Sequence, residues 1–243
     1  MLKRTLIVLP VVAALLMSTT VAFAAIPPHP KWQSSAKEGT WNHDNYSFQN
    51  NMWSCPQPAC HKQTIWANTP NDWGVESNMA AGNTAVLTYP DIGQFFGDKH
   101  RVSAYHLIRN GFTESMPRHL AGLSAEAADD VWLNDWGIEM MIWVDNIGRS
   151  LAGSTRVGNA TIFGQHFTVW KYGNSELIFD LNHNEQSGET HILASIDWLI
   201  KHHQVPANAT LTEVQFGWEI ASTHSQPADF KISKYWAHTQ LRR

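Results

Sequence analysis

Glu139 and Glu219 are the residues whose surroundings best suit chemistry. The segment from Asp129 to Asp145 reads DDVWLNDWGIEMMIWVD. It has the form of a hairpin turning at Asn134-Asp135-Trp136-Gly137. Side chains alternate along a strand, so Ile138, Met140, Ile142 and Val144 share an apolar face that must be core. Glu139, Met141 and Trp143 share the other face. A carboxylate between sulfur and indole suits the floor of a sugar cleft, where tryptophan stacks on pyranose C–H groups and a carboxylate meets the reacting carbon. The bland alternative is a polar strand edge. If the turn closes symmetrically, Trp132 lies opposite Glu139 and Asp130 opposite Met141. Asp130 then sits diagonally from Glu139, within about 7–8 Å. A second acid there could orient Glu139 or share a proton with it.

The second strand, Glu213 to Glu219, reads EVQFGWE. Val214, Phe216 and Trp218 point one way, and Gln215, Gly217 and Glu219 the other. Glycine weakens a strand, and a ligand passing close to the backbone beside Glu219 would account for Gly217. Alone, this motif fits an edge strand with a solvated glutamate equally well. Together the two glutamates fit glycoside hydrolysis with retention, which needs two carboxyl groups about 5–5.5 Å apart. One attacks the anomeric carbon; the other gives and then takes a proton. The expectation is that they stand on facing strands of one curved sheet.

The elements that must position them are strands. Runs rich in Val, Ile, Thr, Trp and Phe, bounded by turn residues, cover 44–53, 63–66, 85–89, 130–134, 138–144, 160–171, 177–181, 191–195, 213–220 and 230–236. This density of short strands predicts an all-β fold, a β-jelly-roll sandwich of two curved antiparallel sheets with a concave cleft. One short helix is expected, capped by Ser195 and carrying Ile196, Leu199 and Ile200 on one face, with Pro206 stopping it. No repeat, low-complexity tract or linker divides the chain.

Residues 1–24 read as an export signal. Lys3 and Arg4 precede an apolar run from Leu6 to Met17, and Ala22-Phe23-Ala24 is a small-x-small cleavage site. The run is too short to span a bilayer, and no other stretch is suited to cross one. The mature domain is then residues 25–243, secreted, with monomer as the expected state. Net charge is −4 and pI about 6.3, with no basic block, which argues against nucleic acid as a partner. Charged residues are 16% while tryptophans number 12, a balance that suits a neutral ring-shaped ligand; about half of the tryptophans are expected in the core. An exported chain with two cysteines, Cys55 and Cys60, is expected to join them in a disulfide. His183, His191, His202 and His203 show no metal-site spacing, so no metal is expected.

From about Trp41 to Trp236 the chain resembles glycoside hydrolase family 12, endoglucanases with a jelly-roll fold. Asn50-Asn51-Met52-Trp53 is similar to the family's Asn-Asn-x-Trp signature. Thr88-Tyr89-Pro90 is similar to its Ser-Tyr-Pro strand, and Asp130-Val131-Trp132-Leu133 to its Tyr-Asp-x-aromatic strand. Glu139-Met140-Met141-Ile142-Trp143 matches the nucleophile strand, and Val214-Gln215-Phe216-Gly217-Trp218-Glu219 resembles the acid/base strand. The nucleophile strand is the most specific of these. The resemblance implies Glu139 as nucleophile, Glu219 as acid/base and Asp130 as support for Glu139. It also implies that Asn51, Trp53, Met141 and Trp143 line the cleft, with Trp132 beside them. The implied reaction is endo-cleavage of β-1,4-glucan with retention and without metal or organic cofactor. Departures at Ser54, Val131-Trp132 and Ile220-Ala221 lie along the cleft walls. They leave cellulose, mixed-linkage glucan and xyloglucan open as substrates. A non-catalytic glycan-binding jelly roll is the reading from another class, and the paired glutamates argue against it.

Overall fold

The computed structural model describes residues 26–56 and 58–243. The expected export signal, residues 1–24, and Ala25 lie outside the described residues. The strands in chain order begin with β1 (Trp32–Ser34), β2 (Thr40–His43), β3 (Tyr46–Gln49), β4 (Cys60–Thr69), β5 (Asp72–Met79) and β6 (Asp91–Phe95). Then come β7 (Tyr105–Ser115), β8 (Leu123–Leu133), β9 (Ile138–Ile147), β10 (Thr155–Ile162) and β11 (Gln165–Tyr172). The last are β12 (Glu176–Leu181), β13 (Ser187–Thr190), helix α1 (Ile192–Lys201), β14 (Leu211–Thr223) and β15 (Ala228–Leu241).

They form two sheets. One has six strands in the order β1-β4-β5-β15-β7-β13, and the other nine in the order β10-β11-β12-β9-β8-β14-β6-β3-β2. β12 runs parallel to β9, and the other pairings are antiparallel. This is the β-jelly-roll sandwich expected from the strand pattern.

Alternation explains the core. Met140, Ile142 and Val144 of β9 and Val214, Phe216, Trp218 and Ile220 of β14 point between the sheets. Ile65, Trp73, Phe112, Phe230 and Tyr235 meet them from the six-stranded sheet. Phe216 stacks on Phe112 at 4.9 Å, and Trp218 lies 5.0 Å from Trp73. Burying each such side chain contributes about 1.5–3 kcal/mol. The Cys55–Cys60 disulfide is formed and closes the short loop before β4.

Several local expectations change. The run 160–171 is two strands, because Phe163 and Gly164 take positive φ (47° and 87°) and turn the chain back between β10 and β11. Segment 85–89 is not a strand; Thr88 makes a single bridge to Ile220. The run 191–195, expected as a strand, instead opens the helix, which begins four residues early at Ile192, so Ser195 is inside it and its hydroxyl donates to His191 O at 3.3 Å. Ile192, Ile196 and Leu199 form its buried stripe. β1, β2, β5, β6, β7 and β13 went unpredicted. β7 reads YHLIRNGFTES, where Asn110 is fully buried against a polar partner and the glycine interrupts any alternation. Four tryptophans are buried (Trp66, Trp73, Trp143 and Trp218), fewer than the half expected, and the others reach the surface.

Gly217 also has a different cause from the one expected. A Cβ there would lie 2.1 Å from Pro90 O and 2.9 Å from Asp91 Cα. The close neighbour is the protein's own backbone entering β6, which pairs with β14 at this point. Gly217→Ala therefore lowers stability by about 1–3 kcal/mol through forced backbone displacement. Urea unfolding checks this, and an unchanged midpoint would contradict the packing account.

Candidate functional site

The nine-stranded sheet buries one face and presents the other. On that outer face of β9 stand Glu139, Met141 and Trp143, and on β8 stand Ala128, Asp130 and Trp132. The register is the one the hairpin pattern predicts: Trp132 opposite Glu139 and Asp130 opposite Met141. The turn that sets it has three successive residues at positive φ, Asn134, Asp135 and Trp136 (55°, 52° and 66°). Such backbone is costly for non-glycine residues and needs external support. Asp98 and Thr212 supply it by accepting the Asp135 N–H at 3.0 Å each, and the Asn134 side chain accepts from Thr210 N at 2.9 Å.

Glu219 lies on β14 of the same sheet, but β8 runs between β14 and β9, so the two glutamates are not on facing strands. Their partners on β8 are Trp132 for Glu139 and Glu126 for Glu219, six positions apart. In a flat strand that offset is about 20 Å. The carboxyls nevertheless interact, since Glu219 helps to raise the pKa of Glu139.

Carboxyl groups crowd this face. Glu139 is pushed up to about 8, first by burial and then by Glu176 and Glu219. Glu176 stands beside Glu139 in the parallel β12/β9 pairing and is pushed up to about 7, first by burial and then by Glu219. Asp130 is deeper. Burial, then Glu139, then Glu219 raise it well above the usual carboxylate range. Trp132 Nε1 donates to Asp130 Oδ2 at 2.9 Å, while Oδ1 has no hydrogen-bond partner among the described residues. Groups this close cannot all ionise. Burial, the largest cause for both, opposes the charged form of Asp130 and of Glu139.

The expected binding residues divide by exposure. Trp53 is 55% exposed, as a stacking platform would be. Asn51 has φ of 39° and is held by its carbonyl, which accepts from Tyr89 N and the Thr88 hydroxyl, both at 2.9 Å. Its amide donates to buried Asp91 at 3.2 Å. Met141 and Trp143 lie on the outer face, yet only 1% and 3% of each is exposed. With Ala128 and Ile178 they form a small apolar cluster covered by Leu151 and Trp170. They share the face of Glu139 and are shielded from solvent.

Glu126 and Arg149 join the site without any signal having singled them out, and Tyr89, known from its Thr88-Tyr89-Pro90 motif, joins them. Glu126 and Arg149 meet Glu219: Arg149 Nε donates to Glu126 at 2.6 Å, and its terminal nitrogen approaches Glu219 at 3.4 Å. Buried Tyr89 donates its hydroxyl to Ala128 O at 3.0 Å and feels Asp130, Asp91 and Glu219. Alternation on β8 carries Glu126 to the same face as Asp130, so period-two counting could have found it. Arg149 sits in a loop after β9, where no periodicity speaks.

No family model matches the sequence. Solved structures do. The family 12 xyloglucanase from Bacillus licheniformis in complex with ligand has a TM-score of 0.74 and 22% identity, covering 86% of this chain and 100% of that one. The xyloglucanase domain of NopAA, a type three effector from Sinorhizobium fredii, in complex with cellobiose, gives 0.76 and 23%, covering 87% and 100%. The catalytic domain of Humicola grisea Cel12A in complex with a thio cellotetraose gives 0.75 and 19%, covering 86% and 99%. At these identities the likeness is one of fold.

Carboxyl burial also acts on stability. Asp129, between the sheets beside Asn110, and Glu114, which accepts from Trp218 Nε1 at 3.1 Å, are each pushed up to about 7, mainly by burial. A folded-state value above the unfolded one near 4 means that the fold favours the protonated form. That stability is fully present below about pH 4 and is lost as pH rises through about 7. The melting temperature is expected to fall between pH 5 and pH 8, and Asp129→Asn to flatten that fall. Calorimetry across this range checks both, and a melting temperature rising with pH would contradict them.

Proposed function

We propose that the protein is a secreted family 12 glycoside hydrolase that cleaves internal β-1,4 bonds of a β-glucan with retention. The observation that carries this reading is that Glu139, Asp130 and Glu219 share the outer face of a jelly roll, at the positions where the sequence resembles the family's catalytic strands. A binding module has no need to crowd carboxyls into one poorly hydrated face, because each costs burial energy and returns nothing to affinity for a neutral sugar.

In this reading Glu139 attacks the anomeric carbon as its bond to the leaving oxygen breaks, and Glu219 gives that oxygen a proton. Water then gives a proton back to Glu219 and adds to the anomeric carbon, releasing Glu139. Asp130 keeps its own proton and offers a hydrogen bond to Glu139 rather than a competing charge. Trp53, exposed at the turn after Asn51, stacks on a sugar ring. The Cys55–Cys60 disulfide agrees with export to an oxidising compartment. Xyloglucan stands beside cellulose and mixed-linkage glucan as a candidate substrate, since two of the similar structures are xyloglucanases.

Reducing-sugar release from carboxymethylcellulose, barley β-glucan, xyloglucan and xylan tests the activity and ranks the substrates. Release is expected from at least one glucan, with the β-anomer appearing first by proton NMR; the α-anomer first would rule out retention. Glu139→Gln is expected to fold normally and lose roughly three orders of magnitude or more in kcat. Turnover near wild type in that variant would remove Glu139 from the nucleophile role. Trp53→Ala is expected to raise KM with little change in melting temperature, because Trp53 is half in water; a large drop in melting temperature would make it a packing residue instead.

A further inference from the structure

The surroundings of Glu219 hold more than an acid/base needs. Arg149 is a fixed cation with only 10% of its side chain exposed. Its backbone N–H donates to Asn146 Oδ1 at 3.0 Å, one terminal nitrogen donates to Thr84 O at 2.8 Å, and the guanidinium lies 5.9 Å from the Trp143 ring centre. The two remaining arms reach carboxyls, Glu126 at 2.6 Å and Glu219 at 3.4 Å. Glu126 and Glu219 are directly opposite on β8 and β14. Glu126 is fully buried, and its Oε1 has no hydrogen-bond partner among the described residues. One guanidinium thus meets two carboxyls in a poorly hydrated wall, which leaves one negative charge too many unless one carboxyl holds a proton.

We propose that Glu126 and Arg149 are positioning residues for Glu219, with Arg149 bridging the two carboxyls and a single proton shared between Glu126 and Glu219 until Glu219 delivers it. This rests on the reading of Glu219 as acid/base. Arg149 alone would favour the ionised form of Glu219 and strip it of the proton it must donate. The carboxylate of Glu126 answers that charge. One guanidinium, two carboxyls and one proton sum to zero, so the group can sit in a poorly hydrated wall. When the proton passes to the leaving oxygen, Arg149 is in place to hold the new Glu219 carboxylate. Water returns the proton in the second step, and the pair is restored.

Other charges face Glu219 as well: Asp130 on β8, Glu139 on β9 and Glu176 on β12, together with the Tyr89 hydroxyl. All are common to wild type and variants, so they cancel in a comparison. The test is the pH dependence of kcat/KM on soluble β-glucan, with the Glu219 carboxyl titration followed by carbon-13 NMR in the same proteins. Glu126→Gln removes the like charge and leaves Arg149, so the alkaline limb is expected to fall by about one pH unit. Arg149→Met removes the cation, and the limb is expected to rise. Arg149→Lys keeps the charge and is expected to return the limb toward wild type, which a loss of packing would not do. A second readout separates positioning from structure. The 2,4-dinitrophenyl β-cellobioside has a leaving group that needs no proton, so Glu126→Gln is expected to keep its rate there while losing about tenfold or more on glucan. Equal losses on both substrates with an unmoved limb would overturn the proposal. If wild type cleaves no glycan, the acid/base reading fails separately. The Glu219 titration then decides alone: a midpoint that Glu126→Gln leaves unmoved overturns the shared proton, and one that falls upholds it.

Discussion

Carboxyl groups held together on a poorly hydrated face cannot all carry charge, and the outer face of the nine-stranded sheet is arranged around that constraint. Glu139, Asp130, Glu176, Glu126 and Glu219 come from four strands, β9, β8, β12 and β14. Burial is the largest cause of the upward shifts of Asp130, Glu126, Glu139 and Glu176, and mutual repulsion adds to it. Glu126 and Asp130 lie deepest, and Glu139 is partly exposed. That depth follows from strand position rather than from the placement of a loop. The same burial that makes the site chemically useful charges the fold for it at high pH.

The sheet can support this because its two faces are independent. Every second residue of β9 and β14 anchors the core through Met140, Ile142, Phe216 and Trp218. The alternate residues are then available for chemistry without loss of packing. A break in the pattern adds a further function. Between β8 and β9 the register shifts at Ala127 and Ala128, so Trp143 is opposite Ala128 while Asn146 is opposite Glu126. A bulge of this kind re-aims side chains beyond it. Asn146 accordingly lands beside Glu126, where its side chain holds the backbone of Arg149. Without the extra residue the strand would present a different side chain there, and the loop that carries Arg149 would lose its anchor.

What could be read from sequence was local. The 138–144 alternation and the four-residue turn fixed which residues of β9 face the site, and the structure has the same pairing across the hairpin. The short helix was legible from its apolar spacing, but not its first turn: His191 occupies the N-cap without a side-chain cap bond, so no capping residue marks the start. The turn at Phe163 was hidden because an aromatic residue rarely takes positive φ, so a continuous strand read more naturally. β7 was hidden because its buried Asn110 answers to Thr190 on β13 and Asp129 on β8, partners that only the assembled sandwich supplies.

Gly217 shows why the long-range part was closed to sequence reading. Its strand position was correct and its lack of a side chain was rightly taken to mean close approach, yet the approaching group is Pro90 and not a ligand. A glycine reports that space is missing and says nothing of what fills it. Glu126 is the converse case. Counting by twos from Asp130 places it on the face that carries Asp130, but its importance comes from standing opposite Glu219. That pairing is set by the register of β14 on β8, between segments far apart in the chain, and by register shifts at both ends of the pairing. A proton shared across two strands is a property of the register, and only the folded sheet contains it.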